Sequence, residues 1–156
     1  MRFIVPLLFC FFYCNSSYAI YPKKLDSLLI EIQKPEISDK VELKILGRLM
    51  FHYTYSNSDS AIMFGSKLIA VSQKQGNYKY LHRGLHYMTI VLTNRLKFDS
   101  AHYFANWNYQ LTLDKKDSIG NTDVLIDKGN IMQELGFWKW ILFSRYESNL
   151  FVSGSK

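Results

Sequence analysis

His82 and His86 stand four residues apart, the spacing that puts two imidazoles on one face of a helix, as a zinc pair requires. Arg83-Gly84-Leu85 lie between them, so the glutamate of a metalloprotease helix is missing and Arg83 repels a cation. No third ligand is evident. The pair therefore reads as polar groove residues or satisfied core histidines, and no metal is expected. His52 and His102 are single. Serines are plentiful, but none sits in a nucleophile elbow. Asp114, Asp117, Asp123 and Asp127 form a loose cluster that capping and solvated-face roles explain. The Gly-Asn pairs at 76, 120 and 129 are isolated and make no phosphate-binding loop, two of them reading as turns. These residues point to binding rather than catalysis, with no cofactor.

The elements that position them begin after an export signal. Arg2 precedes an apolar run from Phe3 to Tyr13, and Ser17 and Ala19 occupy the two positions a signal peptidase reads. The run falls short of the ~20 residues of a membrane span, which disfavours a retained anchor. Phe9 and Tyr13 precede the two cysteines, Cys10 and Cys14, where a lipoprotein site wants a small residue. Cleavage after Ala19 removes both cysteines, so the mature fold stands on packing alone. The whole chain of 156 residues carries a net charge of +6. Its lysines are scattered, with no basic run, and nucleic acid is not an expected partner.

No proline follows Pro35, which favours long helices. Leu25, Leu28, Leu29 and Ile32 form the apolar stripe of a leader helix within 20–39, after the signal at 1–19. Ser38-Asp39 can cap the next helix, with Leu43, Leu46, Met50 and Tyr53 on one face. Asp59-Ser60-Ala61 opens another, and the same grammar returns forty residues on at Asp99-Ser100-Ala101. Between them Gly76-Asn77 ends one helix, and Leu96-Lys97-Phe98 makes a turn after Leu85, Met88, Thr89 and Leu92. Gly120-Asn121-Thr122 is expected to break the chain, and Gly136 to separate a sixth helix from a seventh at Phe137. Gly47, Gly84, Gly129, Ala61, Gly65, Ala101 and Ala105 suit close helix crossings, with Met88, Phe104, Trp107 and Met132 filling the layers.

Recurrent helical hairpins imply an all-α repeat domain over 40–152. Gly129, Gly136 and Trp138, with Phe98, Ala101 and Ala105 in the preceding unit, resemble the pattern of tetratricopeptide repeats. A unit of about forty residues exceeds that family's usual ~34, implying longer helices. A signal, the leader Leu25-Asp26-Ser27-Leu28-Leu29 and Tyr55-Ser56-Asn57-Ser58-Asp59-Ser60-Ala61 resemble the exported sensor region of repeat-bearing histidine kinases of Bacteroidetes-type bacteria. No kinase boxes are present, so kinase activity is not carried over.

The resemblance implies a TPR-like solenoid of about three helix-turn-helix repeats after a short leader helix, whose first helices line a concave surface. Lys44, Arg48 and His52 fall on it from one unit, Arg83, His86 and Asn94 from the next, and Asp123, Asn130 and Glu134 from the third. Such a groove is basic at one end and acidic at the other, suited to an extended peptide in one direction; the alternative is an ordinary solvated face. The last helix is apolar on more than one side, so Trp138, Trp140 and Phe143 form a candidate interface for a second copy, a partner or further repeats. Its rival is a membrane-surface helix, weakened by having only Lys139 and Arg145 as basic residues. The expectation is an exported, periplasmic or envelope-located sensory or scaffolding module that binds protein or peptide. A small secreted helical enzyme or effector with a groove-borne site is the alternative.

Overall fold

A computed structural model describes residues 20–153, with side-chain surroundings for 25–139. The expected signal at 1–19 lies outside them. Among the described residues every regular element is a helix: α1 (Ile20–Glu31), α2 (Asp39–Tyr53), α3 (Ser58–Lys74), α4 (Tyr78–Asn94), α5 (Phe98–Asp114) and α6 (Ser118–Ser153). Among the described residues none is long and apolar enough to cross a membrane.

The three central helices are each 17 residues long, about 25 Å. One connector, used three times, sets that length. Gly76, Leu96 and Lys116 each take positive φ, at 63°, 58° and 54°. The amide after each donates to a carbonyl five residues back: Asn77 to Ser72, Lys97 to Leu92 and Asp117 to Thr112, at 2.9 to 3.0 Å. Such a bond closes a helix C-terminus. The same residue then starts the next helix. Asn77 Oδ1 accepts from the Tyr80 amide and Asp117 Oδ1 from the Gly120 amide, while Lys97 has no capping oxygen. Closing one helix and capping the next with a single residue gives a helix every twenty residues and a hairpin every forty.

Only Gly76 suits the left-handed region, which disfavours a side chain by about 1 kcal/mol. Lys116→Gly, at the matching position of the next unit, is therefore expected to raise stability by roughly 0.5–1 kcal/mol in urea unfolding.

Each helix packs on its chain neighbours, and α4 also packs on α2 and α6. Thus α2, α4 and α6 form one row and α3 and α5 another, a helical repeat-like architecture with α4 at its centre. Leu43, Leu46 and Leu49 from α2, Leu68 from α3 and Leu85 and Met88 from α4 fill the core, with Ala61, Ala101 and Ala105 where helices approach closely. A Cβ on Gly84 would stand 2.9 Å from Ile69 Cγ1, which makes that crossing depend on glycine. Leu25, Leu28, Leu29 and Ile32 of α1 pack against this core as the stripe implies. Polar ties link the units, two of them at helix ends. The Tyr78 hydroxyl donates to Asp117 Oδ2 at 2.5 Å, joining the starts of α4 and α6, and Arg95 at the end of α4 pairs with Asp59 in α3. Hydrogen bonds from Tyr78 and Gly120 hold Asp117 below the usual carboxylate range.

Several expectations are corrected. Gly120-Asn121-Thr122 lies inside the first turn of α6; the break is at Lys116-Asp117, where the positive φ occurs. Asn57 and Lys97, not Asp59 and Asp99, sit at the helix starts, and Ser38 caps α2 without a side-chain bond. The third hairpin is absent from the described residues, because α6 runs unbroken through Gly136. Gly136 is followed by Phe137, which has no capping oxygen, and a glycine inside a helix costs only about 1 kcal/mol. Gly129 meets no neighbouring helix and Met132 is 73% exposed, so neither serves the inter-helix packing expected of it.

Candidate functional site

The C-terminal half of α4 and the middle of α6 border a cleft of about 320 Å³. Thr89, Ile90, Thr93 and Asn94 line one wall, and Asp127, Asn130, Gln133 and Glu134 the other. Spacings of three and four bring each set onto one helix face. The forty-residue register aligns Ile90 with Asn130 and Asn94 with Glu134, so corresponding residues of consecutive units meet across the cleft. Thr89 and Thr93 donate their hydroxyls to the carbonyls of Leu85 and Thr89, both at 2.9 Å, which leaves their oxygens as acceptors.

One ion pair anchors the base of the site. Asp127 is 4% exposed, and its Oδ2 accepts from His86 Nδ1 at 2.7 Å. Burial works against the imidazolium and Arg83 opposes it. The hydrogen bond and charge of Asp127, with Asp123 adding its own, outweigh both, and His86 titrates above its ordinary value. The His86 ring meets Tyr87 at 5.1 Å between centroids, and Tyr87 meets Phe51 of α2 at 5.6 Å. Aromatic contact therefore runs from the cleft to the first row helix. Burial pushes the Tyr87 phenol up, with Arg83 opposing and Tyr55 adding to it.

The structure brings together Asn94, Asn130 and Glu134, with His86 beside them through Asp127. Arg83 is exposed on α4 against Gly47 of α2, and Lys44 and Arg48 are exposed on α2 itself. His52 lies at the end of α2, half-buried, with its ring edge-on to Tyr53 at 5.2 Å. Trp138 is partly exposed next to Phe137. Trp140 and Phe143 belong to α6 but lie outside the residues whose side chains are described. Asp123 is exposed.

Asp127 is not on a solvated face, as the carboxylate cluster implied, but buried against His86. Thr89, Ile90, Thr93 and Gln133 join the site without having been singled out for it. Thr89 and Thr93 are visible at helical spacing, and Asp127 precedes Asn130 and Glu134 at spacings of three and four; the missing signal was which helix faces which. His82 and His86 do not act together. His82 Nδ1 faces Asn108 Oδ1 at 2.9 Å, whereas His86 holds Asp127. Among the described residues no three His, Cys, Asp or Glu side chains gather where a metal ion could bind. Compared with protein-family models, curated proteins and solved structures, the chain matches none.

Proposed function

We propose that this protein is a non-catalytic, tetratricopeptide-like module that binds an extended peptide along the α2–α4–α6 row, as an exported sensory or scaffolding domain of the cell envelope. The observation that carries the reading is the cleft between α4 and α6. It pairs the amides of Asn94, Asn130 and Gln133 with the Glu134 carboxylate. Side-chain amides both donate to and accept from a peptide backbone, which suits an extended chain of varied sequence. Glu134 takes a basic side chain at one end, while Arg83, Arg48 and Lys44 favour an acidic one at the other. The residues at 1–19 support export.

An enzyme on the same cleft needs a nucleophile beside the His86–Asp127 pair. The hydroxyls that line the cleft, those of Thr89 and Thr93, are committed to main-chain carbonyls, and this favours binding.

Fluorescence anisotropy with labelled extended heptapeptides tests the reading. Peptides with a basic residue at one end and an acidic one at the other are expected to bind more tightly than all-acidic peptides. Glu134→Lys is expected to weaken them roughly tenfold, about 1.4 kcal/mol. Equal binding by the parent and the variant, or no binding by any peptide, contradicts the proposal.

A further inference from the structure

The forty-residue register exposes an unfilled position on α6. Leu85, Thr89 and Leu92 of α4 correspond to Leu125, Gly129 and Met132 of α6. The first three are buried, as are the α2 counterparts of Leu85 and Thr89, Ile45 and Leu49, while that of Leu92, His52, is half-buried. Leu125 is 54% exposed and Gly129 is exposed, as is Met132. In two units a neighbouring helix covers this face; in the third nothing among the described residues does.

The glycines mark the same face independently. At Gly47, Gly65, Gly84 and Gly120 a Cβ would meet a side-chain atom within 3.4 Å. At Gly129 and Gly136 it would meet nothing within 4 Å. Thr122, Gly129 and Gly136 recur at intervals of seven and form one line along the helix. Leu125 and Met132 flank it on one side, and Ile119, Ile126 and Phe137, all exposed, on the other.

We infer that this strip is a homodimer seam, with α6 of a second copy lying along it. The strip supplies both halves of a close helix pair: projecting aliphatic side chains and glycine hollows to receive them. Among the described residues Ser118, Thr122 and Gln133 are its uncharged polar side chains and Lys139, on the line of Leu125 and Met132, its one charge, so an antiparallel mate centred on Gly129 keeps the two Lys139 at opposite ends. Its five large side chains, each of roughly 150–200 Å² and half to three-quarters exposed, give two copies about 1,000–1,200 Å² to bury. That falls just short of the ~1,200–2,000 Å² of stable specific interfaces and fits a weak, concentration-dependent dimer. The seam borders the peptide cleft and shares Gln133 with its rim, while its five large apolar side chains are not among the cleft's lining residues.

Light scattering on the full chain over a concentration series, with Leu125→Glu/Met132→Glu beside it, tests the seam. Both substituted residues are exposed, so the variant is expected to keep its helical circular dichroism. The expected result is twice the chain mass for the parent and the single mass for the variant. A monomeric parent overturns the inference, as does a dimer that survives in the variant. So does a parent that sediments with anionic lipid vesicles instead of pairing.

Discussion

Leu85→Ala is expected to destabilise the fold by about 3–4 kcal/mol, while Leu125→Ala, forty residues on, changes the stability of the monomer by less than about 0.5 kcal/mol. Both are leucines at the same position of their repeat units. Leu85 is fully buried in the central helix and belongs to the main core, whereas Leu125 lies on an open face. Truncating Leu85 removes its transfer energy and leaves a cavity that α3 and α5, held by short connectors, cannot readily close. Urea unfolding of the two variants, at a concentration low enough to keep any dimer apart, measures the contrast. Similar losses for both mean that α6 is covered in solution by a neighbour this account does not place there. A small loss at Leu85 means that α4 is not the centre of the fold.

Asp127→Asn is expected to cost about 1–3 kcal/mol near pH 6, because it leaves His86 without its charge partner in a largely buried setting. The pair also predicts a pH dependence. His86 titrates higher in the folded chain than in the unfolded one, where a histidine titrates near 6.5. Its stabilising contribution is therefore complete below the unfolded value and is lost as pH rises through the folded value. Melting temperature should fall across that window in the parent and much less in Asp127→Asn. Equal slopes in both proteins would show that the pair does not form as described. The variant also bears on binding, since Asp127 forms part of the cleft wall.

Much of the helical organisation is legible in local residues. Pro35 and the stripe from Leu25 to Ile32 define the leader, Gly76-Asn77 carries both signals of its connector, and Ala101 and Ala105 mark a close crossing. Legibility fails where a local signal competes with packing. Leu96 and Lys116 take a conformation their side chains disfavour, because the helices on either side fix the connector. Gly136 has the residue type of a helix stop, but no cap follows it and α6 continues. Three of the eight residues that line the cleft were visible as groove residues: Asn94, Asn130 and Glu134. Its buried member, Asp127, was not, because an aspartate at helical spacing looks the same on a solvated face as it does against a histidine. Only the pairing of α4 with α6 separates the two.

Amide chemical shifts, followed while a heptapeptide with one basic and one acidic end is titrated into the full chain, test peptide binding most directly. The account predicts saturable shifts over Thr89–Asn94 and Asn130–Glu134, with smaller ones at Arg83 and Arg48 and none in the middle of α3. Shifts centred on α3 and α5, or a spectrum unchanged at peptide excess, would contradict it.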